Sequence, residues 1–151
     1  MTTARDIMTR DVITVTEETP VDELAKAFVA HGVSGFPVLG AEGELVGVVT
    51  EGDLIHQNQR LHIPTAVAIF DAVVVLGSSK RLEEEIRRVA ARRVGEIMTR
   101  DPITVEEDTP VSEVASIMAD KGVHTLPVLD REGRLVGVIG KIDVIRAMGG
   151  A

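Results

Sequence analysis

Apolar and polar positions along this chain follow one pattern and then follow it again. The short apolar stretch Ile13-Thr14-Val15 comes first and reads as a strand. Thr19-Pro20 opens a helix, with threonine as the expected cap and proline at the first helical position. Val21, Leu24, Ala25 and Phe28 then fall on one helical face. Gly32 stands where a left-handed helix stop is wanted. Phe36–Leu39 and Leu45–Thr50 flank a glycine-bearing turn and read as a hairpin. A last helix is expected to begin near Gly52. The predicted order is β-α-β-β-α.

The same order returns at an offset of 90 residues. "IMTRD" occupies Ile7–Asp11 and again Ile97–Asp101, and "TPV", "PVL" and "LVGV" recur in the same register. Val111, Val114, Ala115 and Met118 repeat the helical face, and Gly122 repeats the stop. No gap is needed from Asp6 to His56, and roughly half of the paired positions are identical. Two units are too few for a solenoid, which needs about three or more. The expected fold is therefore α/β (α+β), with two β-α-β-β-α repeats packed about a pseudo-twofold axis on a shared core. Repeat 1 is placed at 1–60 and repeat 2 at 94–151, with an insert at 61–93 that has no second copy. The insert reads as mainly helical. From Lys80, Leu82, Ile86 and Val89 make an apolar stripe, and Glu83–Arg87 and Glu84–Arg88 are i,i+4 pairs. Between Pro64 and Gly77 the valines suit a buried strand and the length suits a helix; helix is favoured.

Composition narrows the function. The absence of cysteine removes disulfides, thiolate nucleophiles and cysteine zinc sites. The N-terminus "MTTARD" has no apolar signal core, and the longest nearly apolar run, Ala66–Gly77, is too short to cross a bilayer. A cytoplasmic protein, with no membrane partner, is expected. A net charge of -8 and an aromatic content of 2% speak against nucleic acid, which needs cations and stacking rings. Arginines such as Arg87, Arg88, Arg92 and Arg93 are interleaved with glutamates in the insert. The four histidines show no metal-ligand spacing, and no nucleophile–base pair is visible, so no enzyme, metal or required cofactor is expected.

With these residues in view, the string "DIMTRDVITV…TPVDELAKAFVAHGVSGFPVLGAEGELVGVVTEGDL" resembles a CBS domain, and the second unit resembles another. The resemblance covers both repeats and implies a tandem pair, or Bateman module. Members of this family hold adenosine-containing ligands (AMP, ADP, ATP or S-adenosylmethionine) in clefts between repeats and regulate a partner protein. The family's ribose and phosphate segment has the form G-h-h-[ST]-x-x-D. Gly47–Asp53 fits it completely, with Thr50 and Asp53 as the gripping pair. Gly137–Asp143 keeps Asp143 and has Gly140 in place of the hydroxyl. Thr50-x-x-Asp53 is also an ordinary capping pattern at a helix start. The resemblance further implies an adenine pocket of Ile13, Val33, Phe36 and Pro37 in one site. Its counterpart is Ile103, Val123, Leu126 and Pro127 in the other. His124 and Lys141 are expected to meet phosphate together at that second site. A homodimer is expected as well. The alternative reading is a ligand-free dimerisation and assembly module.

Overall fold

The computed structural model describes residues 1–60 and 92–149. The helix expected from Lys80 and the segment 64–77 lie outside the described residues.

Each repeat builds a small mixed sheet. In repeat 1, β1 (Val15–Thr16) runs parallel to β2 (Gly35–Leu39), which pairs antiparallel with β3 (Leu45–Thr50). The helix α2 (Val21–His31) makes the crossover, and α3 (Glu51–Arg60) follows β3 directly. In repeat 2, β5 (Val105–Glu106), β6 (Thr125–Leu129) and β7 (Leu135–Gly140) pair in the same way. The helices α5 (Val111–Lys121) and α6 (Lys141–Met148) take the places of α2 and α3. Even the hairpin irregularity recurs, between Val38 and Leu39 and between Val128 and Leu129.

Local chemistry explains most of these boundaries. Gly32 and Gly122 have φ of 62° and 66°, so α2 and α5 end in a left-handed residue that glycine adopts without strain. The start differs from expectation. Both helices begin one residue after proline, and Pro20 and Pro110 occupy the cap position. The threonines are used elsewhere: the Thr16 amide donates to Thr19 Oγ1 at 3.0 Å, and the Glu106 amide to Thr109 Oγ1 at 3.1 Å. Each hydroxyl closes the turn out of the preceding strand and so cannot cap the helix. The first strands are also shorter than the pattern predicts. Ile13 and Ile103 lie outside them and are 40% and 38% exposed.

A single shared core is not what forms. Two apolar clusters do, and each is completed by the other repeat. The cluster of repeat 1 centres on Leu24, Phe36, Val38 and Val49, with Phe28 and Phe36 rings 4.8 Å apart. Its lid is α4 (Val94–Ile97), which buries Val94 and Ile97. The cluster of repeat 2 centres on Val114, Leu126, Val128 and Ile139, and its lid is α1 (Ala4–Ile7), with Ala4 and Met8 buried. Each fully buried valine, leucine, isoleucine or phenylalanine of these clusters contributes roughly 1.5–3 kcal/mol. Backbone bonds fasten the lids. The Ala4 amide donates to the Thr109 carbonyl at 2.8 Å, and the Val94 amide to the Thr19 carbonyl at 2.9 Å. β4 (Thr99–Arg100) then extends the first sheet by pairing antiparallel with β3, and Thr9 makes the matching bridge to Val138. The contact is tight: a Cβ on Gly47 would stand 2.6 Å from the Thr99 carbonyl oxygen.

Candidate functional site

The two repeats meet where β2 and β6 approach each other. Ser34 Oγ and Thr125 Oγ1 share a hydrogen bond of 3.0 Å, and Thr125 is buried at 7% exposure. Gly35 leaves the room for this. A Cβ there would lie 2.7 Å from Thr125 Oγ1. A groove opens on each side of this partition.

The first groove has a volume of about 450 Å³. Its apolar wall is Ile13, Val33, Phe36 and Pro37, all from repeat 1. Facing them are Gly140, Lys141 and Asp143 from repeat 2. The second groove has a volume of about 520 Å³. Ile103, Val123 and His124 come from repeat 2, and Thr50, Glu51 and Gly52 from repeat 1. Both volumes fall within the ~300–1,000 Å³ typical of small-molecule sites. The grooves are counterparts under the 90-residue offset. Below they are the Ile13 groove and the Ile103 groove.

This corrects the expected grouping. The residues do not sort by repeat, because the strand-to-helix segment of each repeat faces the apolar wall of the other. Thr50 therefore lies with Ile103 and Val123, not with Ile13 and Val33. His124 and Lys141, expected at one mouth, stand in different grooves. Leu126 and Pro127 do not line the Ile103 groove. Leu126 is fully buried and ends inside the core, whereas the longer Phe36 ring reaches the floor of the Ile13 groove at 1% exposure.

The strand-to-helix segments are built by capping. The Thr50 amide donates to Asp53 Oδ2 at 2.8 Å, and the Asp53 amide donates to Thr50 Oγ1 at 3.2 Å. This reciprocal box stabilises the start of α3. Among the described residues Asp53 Oδ1 keeps no partner, and Asp53 sits behind Thr50 without lining the groove surface. In repeat 2 only half of the box exists. The Gly140 amide donates to Asp143 Oδ2 at 2.8 Å, and no hydroxyl answers. Asp143 lines its groove directly, and Arg146 Nη1 stands 3.9 Å from its Oδ1. Each cap engages Oδ2 and leaves Oδ1 outside it, so capping does not use up either carboxylate.

Several lining groups were not singled out from the sequence. Asp11 and Asp101 line the two grooves as a matched pair. Asp101 has φ of 51°, the one non-glycine residue with positive φ among the described residues. Aspartate tolerates that region better than most side chains. Ser34, Thr125 and Glu51 line both grooves. The available signal was a polar residue inside each apolar lip, in "GVSGFPV" and "GVHTLPV". No group of three or more histidines, aspartates or glutamates among the described residues is placed to hold a metal ion. No helix among them is long and apolar enough to cross a membrane.

Two mixed repeats with exchanged lids and a groove on either side of a common partition define a tandem ligand-pocket module. The family model for the CBS domain matches residues 4–59 and 94–150, and the chain belongs to that family. Relatives cover nearly all of it. A CBS domain-containing protein of Dictyostelium discoideum is 27% identical over 93% of this chain and 87% of its own length. The chloroplastic protein CBSX1 of Arabidopsis thaliana is 30% identical over 96% of this chain and 63% of its own length. Among solved structures, CBSX2 in complex with AMP superposes with a TM-score of 0.74 at 26% identity, covering 99% of this chain and 98% of that one. The CBS domain pair of protein MJ0100, in complex with 5′-methylthioadenosine and S-adenosylmethionine, gives a TM-score of 0.71 at 27% identity and the same coverages.

Proposed function

We propose that this CBS pair is a regulatory sensor of adenosine compounds. It binds AMP, ADP, ATP or S-adenosylmethionine in its two grooves and signals their presence to a partner protein. The observation that carries this reading is the pairing, in each groove, of an apolar wall with a strand-to-helix turn that carries an aspartate. The apolar wall encloses a purine, and the carboxylate accepts bonds from ribose hydroxyls, each worth about 1.5–3 kcal/mol. Solved neighbours matched over nearly their whole chains, one with AMP and one with methylthioadenosine and S-adenosylmethionine, support it. Thr50 and Asp53 serve the Ile103 groove, and Asp143 the Ile13 groove. The module works as a non-catalytic protein in the cytoplasm.

Titration calorimetry with AMP, ATP and S-adenosylmethionine tests the proposal. Binding of at least one of them, weakened by Asp53→Ala or Asp143→Ala, is expected. Binding to the native state also raises the melting temperature. No heat and no thermal shift with any of them rejects it.

One observation favours the second reading, an assembly module. Ile142, Ile145 and Met148 form a stripe on α6 and are 55%, 59% and 74% exposed, with Ile55 at 48% in the place corresponding to Ile145. A second copy of this chain fits such a face. A homodimer is proposed on this basis, alongside ligand sensing. Light scattering that finds a monomer at micromolar concentration overturns it.

A further inference from the structure

The hydroxyl pair at the partition is built once, not twice. Under the 90-residue offset Ser34 corresponds to His124 and Thr125 to Gly35. The bond between Ser34 Oγ and Thr125 Oγ1 therefore has no twofold copy, because the matching pair is a histidine and a residue without a side chain. Both Ser34 and Thr125 line both grooves. Among the described residues neither hydroxyl has another hydrogen-bond partner. Their backbones are fixed. The Ser34 carbonyl accepts the Glu51 amide at 3.1 Å, and Thr125 pairs with Gly140 across the hairpin. The hydroxyls themselves can turn, and either oxygen can be the donor in the shared bond.

Each hydroxyl carries one O–H and two lone pairs. The pair thus has two O–H groups, and the bond between them uses one. A single donor is left for two grooves. When Ser34 donates, the free O–H is on Thr125; when Thr125 donates, it is on Ser34. A ligand atom that accepts this O–H in one groove leaves only lone pairs toward the other. Serving both grooves at once breaks the shared bond and cancels the second gain. We infer that the grooves compete for this one donor, so that ligand in one groove weakens ligand in the other. An adenine ring nitrogen or a ribose oxygen is an acceptor of the required kind. The coupling is about two- to tenfold, the net effect of one neutral hydrogen bond. It is reciprocal, so whichever groove fills first takes the donor. This rests on the proposed adenosine binding and adds its regulation: the paired grooves respond over a wider range of ligand concentration than two independent ones.

The chain supplies its own reporters. Ile13 and Ile103 are pseudo-equivalent and partly exposed, and each lines one groove only. Isoleucine methyl NMR on the full chain, titrated separately with AMP, ATP and S-adenosylmethionine, reads occupancy groove by groove. The decisive variant is Ser34→Ala with Thr125→Val, which removes both partners together and leaves no buried hydroxyl unpaired. The first binding event is expected to weaken about two- to tenfold against the parent, and the second, which never had the donor, to stay unchanged. Weakening of both events, no change in either, or binding in one groove only overturns the inference while leaving adenosine binding intact. Silence of both methyls toward all three ligands in the parent instead rejects the adenosine reading itself. A thermal melt matching the parent shows that the double variant is folded. Should it melt early, Ser34→Ala alone decides. That variant keeps the Thr125 O–H, still one donor for two grooves, and is expected to preserve both binding events. Weakening of one event there assigns each hydroxyl to a groove of its own and overturns the inference.

Discussion

The strand-to-helix turns at Thr50 and at Gly140 are the same structure made in two ways. Both pair identically across their hairpin, Gly35 with Thr50 and Thr125 with Gly140. Both send a main-chain amide to a carboxylate three residues on, at 2.8 Å. Only the first receives a bond in return. A duplicated fold therefore tolerates loss of half of a cap, because the aspartate alone holds the turn. The freed position is where the copies diverge in chemistry, together with its neighbour at 51 and 141.

The largest effects are expected where the copies depend on each other. Ile97→Ala removes a lid residue from the core of repeat 1, and Phe36→Ala removes the ring beneath the Ile13 groove. Costs of about 2–5 and 3–5 kcal/mol are expected from chemical denaturation. Because the lids are exchanged, the loss should appear as one shifted transition and not as the melting of one repeat. Two separated transitions would refute the interlock.

A smaller effect distinguishes the grooves. Asp53→Ala should weaken adenosine binding at the Ile103 groove by about 1.5–3 kcal/mol, roughly ten- to a hundredfold. Calorimetry of unchanged affinity in a folded variant removes Asp53 from the site. Its cap role adds a stability loss of about 1 kcal/mol.

Gly140→Thr should make the two turns alike. Gly140 has φ of -99°, which any residue adopts, and a Cβ there meets nothing closer than Asp143 Oδ2 at 3.7 Å. A gain of about 0.5–1.5 kcal/mol is expected from the completed box and the stiffer unfolded chain. A loss in the thermal melt would mean that the hydroxyl cannot reach the Asp143 amide.

The smallest effect concerns the hairpin turns. Asp130 accepts bonds from the Arg134 and Glu132 amides, each at 2.9 Å, and from Arg134 Nε at 3.0 Å. The Arg134 amide foremost holds its carboxyl below the usual carboxylate range. Repeat 1 has Gly40 there, and its turn uses Glu44 instead, whose Oε2 accepts the Glu42 amide at 3.1 Å. A depressed carboxylate pKa contributes stability that is present above the unfolded value, about 3.9. That stability is lost as pH falls through the folded value. Asp130→Asn should therefore differ from the parent at neutral pH and converge with it in acid. A gap that persists once the parent carboxyl is itself protonated would show that the turn does not depend on the charge.

Much of the fold was legible because hydrophobic period and glycine placement are local signals. Leu24 and Phe28, Gly32 and Gly122, and the hairpin Phe36–Thr50 needed nothing beyond their neighbours. The candidate site was legible as a set of residues and not as a grouping. Ile13, Val33, Thr50 and Asp143 are all at a groove or directly beneath one, yet the sequence order assigns them to the wrong companions. The cause is geometric: a twofold packing sets the end of one strand against the lip of the other repeat, a relation with no trace in spacing. The caps at Thr19 and Thr109 misled for a different reason. One hydroxyl had two amides to choose from, and the turn took it.

The exchanged lids also set an order of events during synthesis. Residues 1–60 leave the ribosome carrying a lid for a core that does not yet exist. Their own core stays open until Val94 and Ile97 emerge, an interval on the order of seconds at ordinary translation rates. During that time the apolar surface around Leu24 and Phe36 is available to any other chain being made nearby. Two nascent copies could each supply the missing Val94–Ile97 segment to the other, so the feature that welds one finished molecule together is also a route by which neighbours on a polysome become entangled.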